Sequence, residues 1–222
     1  MGKGTDSLYF LLSLASRALV FLLVIPVHES AHAWVAHKLG DDTAYKQGRI
    51  SLNPFVHLDL FGCVLMLLTG FGWAKPVPVN PSNMKNPRKG FALTALAGPL
   101  SNLLAAFVAA LAFRIISVTG IGMSDPGTLA VEEVDKMYYV LLILEFFVEI
   151  NVSLAAFNLI PLPPLDGFNI VTQIFDLSKK PWYYNVINYG SWILLALVIF
   201  NIIDIVISPA INGILSLLLP FM

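Results

Sequence analysis

The chain has 222 residues, of which 57% are apolar and only 12% are charged, and its mean hydropathy is +0.78. Soluble domains carry about a quarter charged residues, so the composition excludes an ordinary soluble domain and favours a membrane protein. The net charge of −1 gives no support to a nucleic-acid partner, and the single cysteine, Cys63, excludes an intramolecular disulfide and a Cys-rich zinc site.

Apolar stretches long enough to cross a bilayer, which requires about 20 residues, recur along the chain. Four of them lie at residues 8–39, 90–118, 137–160 and 185–207, and the first three are the predicted core helices. Two more are ambiguous, because residues 56–72 are short and contain three glycines, and residues 209–222 are bounded by prolines. The sequence predicts an all-α polytopic membrane protein, one domain over residues 1–222, with about five to six transmembrane helices and C-terminal helices at 185–222.

Positive charge decides how residues 56–72 are placed. If this stretch enters and leaves on one side, nine lysines and arginines share that face, whereas full crossing splits the charges seven against four. The nine are Lys38, Lys46, Arg49, Lys75, Lys85, Arg88, Lys89, Lys179 and Lys180. We therefore expect a re-entrant or β-hairpin segment over residues 56–81, directly after the first core helix, and a cytoplasmic location for the nine charges.

The first core helix contains the sequence His-Glu-Ser-Ala-His at residues 28–32, in a segment where ionisable side chains are costly and mark a functional site. On a helix, His28 and His32 lie about 40° apart on one face and can bind one metal ion together. Glu29 points about 100° away from His28, so it can reach a water at the metal rather than the metal itself. Two buried histidines satisfied by neighbouring helices are the less favoured interpretation.

A catalytic zinc ion takes three protein ligands and leaves one position for water, so the two histidines need a partner. The remaining side chains of suitable type that we consider are His37, His57, Asp59 and Asp166. His37 is rotated about 140° off the face of His32. Asp166 follows the third core helix in a proline-rich turn that can hold one carboxylate inward, which makes it the best candidate on spacing. Read alone, its Asp-Gly pair predicts only a turn.

Two asparagines are predicted to lie at the depth of the metal motif. Asn102 on the second core helix and Asn158 at the end of the third can each donate an amide hydrogen to a developing oxyanion without adding charge. A helix–helix hydrogen bond is the alternative role for each of them.

Four elements, in order, make the chain resemble the site-2 protease family of intramembrane zinc metalloproteases. Residues 28–32 match the first family motif, and residues 158–167 match the second, Asn-x-x-Pro-x-Pro-x-Leu-Asp-Gly, with an additional proline at Pro164. Residues 98–102 match the Gly-Pro-x-x-Asn element of the middle helix, and residues 72–80 resemble the segment after the first core helix in compact bacterial members.

The resemblance implies that His28, His32 and Asp166 bind one zinc ion per chain and that Glu29 is the general base. It implies a zinc metalloendopeptidase that hydrolyses membrane-anchored proteins within or near their transmembrane segment, in regulated intramembrane proteolysis. Single-span membrane proteins are then the expected substrates, in contact with the lipid bilayer, and a regulatory membrane partner is not identified. We expect neither a PDZ-like insertion nor a nucleotide-sensing domain in a chain of this length.

The run after the re-entrant segment is a candidate substrate-binding element. Gly72, Trp73 and Pro76 lie in an extended, proline-rich stretch that could offer one edge to a substrate strand. An ordinary surface loop with Trp73 as an interfacial anchor is the alternative.

Two other classes of function compete with a protease. An intramembrane metal-ion transporter also uses histidine and aspartate, but internal repeats and polar residues in both halves of the bilayer would be expected. A catalytically silent binder of membrane helices would not need Glu29. We expect an integral protein of the bacterial plasma membrane, with its active site in the cytoplasmic half.

Overall fold

A computed structural model describes residues 10–11, 14–15, 17–69, 72–119 and 136–219, and these residues are mainly helical. The α-helices are α1 (Ile25–Lys38), α2 (Thr43–Lys46), α3 (Pro54–His57), α4 (Leu60–Thr69), α5 (Pro87–Thr119), α6 (Lys136–Asn158), α7 (Asp166–Ile174), α8 (Tyr183–Ile199) and α9 (Ile202–Leu218). No β-strand forms within the described ranges, where one isolated antiparallel bridge joins Leu58 to Ala74. The predicted all-α class is confirmed.

Among the described residues, three helices are long and apolar enough to cross a membrane. They are Arg17–Lys38, which includes α1 and the turn before it, Pro87–Thr119 and Met137–Asn158. These spans overlap the three predicted core helices at 8–39, 90–118 and 137–160, of which residues 8–9, 12–13 and 16 lie outside the described residues. The helices α8 and α9 form a fourth candidate span that is bent by 76°. The polytopic character is therefore supported, whereas the larger predicted number of transmembrane helices stays a prediction.

The predicted C-terminal span at residues 185–207 is wrong in its extent. Phe200 and Asn201 interrupt it, and Asn201 adopts a left-handed conformation with φ of 55°, which asparagine tolerates better than most residues. The helix resumes at Ile202 and continues through Pro209, so residues 209–218 are part of α9 rather than a separate element. Hydropathy does not detect the break because apolar residues flank it on both sides.

The long helix α5 lies at the centre of the molecule and packs against α1, α6 and α7. Small side chains make its contact with α6 close, since Ala106, Ala109 and Ala110 are buried against Val148 and Val152. The same helix brings α1 and α7, which are far apart in the chain, to one place.

The first span contains a π-helical turn, Val20–Val24, and Pro26 lies two residues after it. A proline within a helix lacks an N–H group and crowds the carbonyl one turn earlier, and a wider turn relieves that crowding. The regular helix then carries His28 and His32 on one face.

The segment predicted to re-enter the membrane folds back on itself. Its helix α4 has 10 residues, about 15 Å of helix, which is half the thickness of a bilayer core. The Lys75 amide donates to the His57 carbonyl at 2.7 Å, beside the bridge between Leu58 and Ala74. A Cβ on Gly62 would lie 2.1 Å from the Trp73 carbonyl oxygen, so this close return requires glycine. A re-entrant segment must return in this way, although the membrane-embedded hairpin itself stays a prediction.

Candidate metal centre and active-site cavity

The side chains of His28, His32 and Asp166 meet where α1 and α7 approach each other. The two Nε2 atoms lie 3.0 Å apart, and each is 3.4 Å from the Asp166 Oδ2 atom. Within the part of the chain that the structure describes, these three side chains form the one group at metal-binding distance, with ligand atoms within 4.8 Å of one another.

Each histidine ring is oriented by a hydrogen bond from its other nitrogen. The Nδ1 atom of His32 donates to the Thr94 carbonyl at 2.6 Å, and the Nδ1 atom of His28 lies 3.3 Å from the Asn102 Oδ1 atom. A carbonyl oxygen can only accept, so these bonds place the ring protons on Nδ1 and leave the Nε2 lone pairs facing each other.

The centre has the character of a cation site. The Asp166 Oδ2 atom is buried without a hydrogen-bond partner in the described structure, and it faces two Nε2 lone pairs. Two Nε2 atoms and one carboxylate oxygen at this spacing can all bind one cation, which would remove the repulsion between their lone pairs. Two imidazole nitrogens and one carboxylate oxygen also form a ligand set that catalytic zinc uses.

Gly98 of α5 closes the centre from the side. A Cβ on this residue would lie 2.4 Å from the His32 Nε2 atom and 2.5 Å from the His28 Nε2 atom. No side chain can therefore replace glycine here without displacing the ligand atoms.

A cavity of about 730 Å³ opens from the metal centre. Glu29 lines it next to the two histidines but is not part of the ligand group. The five residues predicted to bind substrate or an oxyanion line the same cavity: Gly72, Trp73, Pro76, Asn102 and Asn158. The geometry thus places a candidate metal-ligand set, the Glu29 carboxylate and residues of the segment 72–79 around one space.

Comparison with known proteins decides the family, since the family model "Peptidase family M50" matches residues 16–201. The chain belongs to this family, the site-2 proteases. It is 37% identical over 207 residues to the "Putative zinc metalloprotease YwhC" of Bacillus subtilis (strain 168), covering 93% of this chain and 90% of that protein. No solved structure matches the chain significantly. M50 membership makes the protein a membrane-embedded metalloprotease and implies zinc for its metal centre.

The second M50 motif positions Asp166 as the first residue of α7. Leu165 before it is extended, and a Cβ on Gly167 would lie 2.1 Å from the Leu159 carbonyl oxygen at the end of α6. Glycine is needed there because α7 turns back against the end of α6. The Asp-Gly pair thus combines a backbone requirement with a side chain that faces the metal centre.

The other proposed third ligands are occupied elsewhere. The His37 Nδ1 atom pairs with Asp42 at 2.7 Å. The His57 Nε2 atom donates to the Ser51 carbonyl at 2.7 Å, and Asp59 accepts the Gly62 amide at 2.9 Å. None of these side chains joins the metal-binding group of this M50 protein.

The two asparagines take different positions in the M50 site. Asn102 exposes 1% of its surface and binds a metal-ligand ring, so its carbonyl oxygen orients His28. Asn158 donates to the Leu154 carbonyl of its own helix at 3.0 Å and lines the cavity. The hydrogen bond to His28 gives Asn102 a partner in the ligand group, whereas Asn158 keeps an amide group at the cavity.

Several residues of the site are absent from the sequence-based set. The Thr94 carbonyl is a backbone group and leaves no signal in the sequence. Asn169 and Ser191 line the cavity from α7 and α8, whose approach depends on the tertiary fold.

Proposed function

We propose that this M50 protein is an intramembrane zinc endopeptidase that cleaves membrane-anchored proteins within or near their transmembrane segment. The observation that carries the proposal is the shared cavity: the three ligand atoms, Glu29 and the extended run 72–80 all border it. A metal-binding protein without hydrolytic activity has no need of an unligated carboxylate at the metal.

Residues His28, His32 and Asp166 hold one zinc ion per chain in this proposal. Zinc bound there would polarise the scissile carbonyl as a Lewis acid and would acidify the attacking water. Glu29 accepts a proton from that water as the oxygen bonds to the carbonyl carbon. It then returns the proton to the amine nitrogen as the carbon–nitrogen bond breaks.

Asn158 is the better-supported oxyanion donor of the two asparagines. It lines the cavity, and an amide N–H there can stabilise the negative charge that develops on the carbonyl oxygen. Asn102 instead orients a metal ligand, and such outer hydrogen bonds raise metal affinity.

An unwound substrate segment binds along Gly72, Trp73 and Pro76. One edge of this run is engaged by the bridge from Ala74 to Leu58, and the run borders the cavity. Strand addition at such an edge supplies main-chain hydrogen bonds independently of substrate sequence. A helical peptide bond is shielded, so an extended segment also gives the metal centre access to the carbonyl.

Single-span membrane proteins are the proposed substrates, and the bacterial plasma membrane is the proposed location. The predicted charge asymmetry puts the active site in the cytoplasmic half. One compact ligand group among the described residues favours a single centre over the relay of sites that a transporter requires.

The experiment that tests the proposal measures zinc content and cleavage of a single-span substrate for the wild type and for His28→Ala and Glu29→Gln variants. We expect one zinc per chain in the wild type and in Glu29→Gln, loss of zinc in His28→Ala, and cleavage by the wild type alone. Cleavage by a variant that lacks zinc would exclude the mechanism. Full activity of Glu29→Gln would remove Glu29 as the base.

A further inference from the structure

A buried arginine links the two arms of the re-entrant segment. Arg49 exposes 4% of its surface. Its Nη1 atom donates to the Val56 carbonyl at 2.8 Å, and its Nη2 atom donates to the carbonyls of Lys75 and, at 3.1 Å, Pro76. Val56 begins this segment and Lys75 lies on its returning arm, so one guanidinium group holds both arms.

A second set of contacts connects this clamp to the helix that carries the metal ligands. The Ser30 Oγ atom of α1 donates to the Ser51 carbonyl at 2.5 Å and accepts the Ser51 amide at 3.2 Å. The same carbonyl accepts from His57 Nε2 at 2.7 Å, and the carbonyl of His57 accepts the Lys75 amide. A chain of hydrogen bonds thus runs from α1 to the extended run 72–80.

Charge supports the same arrangement. Ser30 directly follows Glu29 in the chain. Burial lowers the pKa of Arg49, and the negative charge of Glu29 opposes this effect by favouring the charged guanidinium. The same burial lowers the pKa of His57, which exposes none of its surface. A neutral His57 that donates from Nε2 matches the observed bond to Ser51. The clamp therefore combines the Arg49 guanidinium with a His57 ring whose lowered pKa favours its neutral form.

We propose that Arg49 is a positioning residue for substrate: its clamp on both arms sets the distance between the extended run 72–80 and the metal helix α1. The inference rests on the proposed function of that run. A guanidinium group donates in several directions within one rigid plane, whereas an ammonium group is a point charge on a flexible stem. Lysine at this position keeps the charge near Glu29 but cannot span the carbonyls of Val56, Lys75 and Pro76 together.

A distance measurement tests the clamp without any assay of cleavage. Spin labels are placed at Lys38, at the end of α1, and at Lys75, both in full-length protein with Cys63→Ser. We expect one narrow distance distribution with Arg49 and a shifted or broadened one in Arg49→Lys. The matched control is Arg88→Lys, because Arg88 also donates to a backbone carbonyl, that of Gln173, but borders a different cavity. An unchanged distribution in Arg49→Lys overturns the proposal.

Kinetics provide the second test. A long substrate that can pair with the run 72–80 is compared with a short peptide that reaches only the metal centre. In Arg49→Lys we expect KM for the long substrate to rise about tenfold to a hundredfold with little change in kcat, in zinc content or in the short-peptide rate. Equal loss for both substrates, or loss of zinc, would show a general structural role and overturn the proposal.

An Arg49→Gln variant separates positioning from charge. Arg49 could instead act only by its positive charge near Glu29. In that case Arg49→Lys retains wild-type kinetics and Arg49→Gln changes the pH profile of kcat. That pair of results would exclude the clamp. If the wild type cleaves neither substrate, the proposed function fails, and the label distances alone then report whether the clamp exists.

Discussion

The two walls of the active-site cavity are built in different ways. Helix packing forms the metal wall, where Gly98 lets α5 approach the ligands of α1 and Gly167 lets α7 turn against the end of α6. Buried polar side chains anchor the wall proposed to bind substrate (the substrate wall), because Arg49 and Asp41 bind the loop between α1 and α5. Close-packed helices have few alternative arrangements, whereas a loop held by single hydrogen bonds shifts when one is lost. Changes in the metal wall should therefore abolish metal binding, and changes in the substrate wall should alter substrate affinity or stability.

The second polar anchor, Asp41, is fully buried. Its Oδ2 atom accepts the Asn80 amide at 2.6 Å, and its Oδ1 atom accepts from the Thr43 hydroxyl at 2.5 Å and the Asn83 side chain at 2.8 Å. The carboxylate thereby attaches the end of the run 72–80 to the turn after α1, just as Arg49 attaches its start.

The largest effect is expected for Asp166→Asn in the metal wall. An amide in place of the carboxylate removes the anionic ligand, so we expect loss of bound zinc and at least about a thousandfold loss of cleavage. Zinc content by mass spectrometry and the cleavage rate check this together. Unchanged zinc content would contradict the assignment of Asp166 as a zinc ligand. The remaining acidic residues would then be the candidates for the third ligand.

A glycine substitution distinguishes packing from side-chain chemistry in the same wall. Because a Cβ at Gly98 would lie within 2.5 Å of a ligand nitrogen, Gly98→Ala should lower zinc affinity by about a hundredfold or more. The matched control is Gly213→Ala, since a Cβ at Gly213 in α9 meets nothing within 4 Å. That control should keep its zinc and gain about 0.5–1 kcal/mol of stability. Equal zinc affinity in both variants would show that the ligands tolerate displacement.

A smaller effect is expected at Asn102, which orients one ligand. Asn102→Ala should weaken zinc binding by about 10- to 100-fold, because the His28 Nδ1 atom loses its acceptor. Asn158→Ala serves as the comparison and should lower kcat while leaving zinc affinity near the wild-type value. Titration with a chelator of known affinity measures zinc affinity in both variants. Weaker zinc binding in Asn158→Ala than in Asn102→Ala would exchange the proposed roles of the two asparagines.

The smallest effect concerns the substrate wall and its dependence on pH. Burial raises the pKa of Asp41, but hydrogen bonds from Thr43, Asn83 and Asn80 outweigh it, so the pKa lies below the ordinary value of 3.8. A depressed folded-state pKa contributes stability that is complete above the unfolded-state pKa and is lost as pH falls through the folded-state pKa. Thermal unfolding should therefore show this contribution at pH 7 and lose it below about pH 4.

The variant Asp41→Asn should be destabilised by about 1–3 kcal/mol at pH 7, because its donors lose their charged acceptor. It should also lose the part of the acid sensitivity that Asp41 contributes. Asp42→Asn is the control, since Asp42 is about half exposed and pairs only with His37 among the described residues. If the thermal stability of Asp41→Asn and of the wild type falls equally at low pH, Asp41 is not the source of the acid sensitivity.

Local pattern predicted the metal wall better than the substrate wall. The spacing of His28 and His32 places them on one face in any helix, and three apolar runs predicted the three spans that the structure contains. The break at Asn201 was missed because hydropathy averages over a window and does not register one left-handed residue. The contact between Asn102 and His28 was not predictable, because depth in the membrane does not specify which ring lies beside which amide.

By itself, the sequence determined that the protein is a membrane protein with a two-histidine metal motif and an adjacent carboxylate. These properties follow from composition and from the periodicity of a single helix, which act over a few residues. Only the tertiary structure brings Asp166, and not Asp59 or His57, within metal-binding distance of the two histidines. It also decided that Arg49 is a buried clamp rather than a solvated charge. Both outcomes depend on how segments distant in the chain pack together, and short-range spacing does not specify that packing.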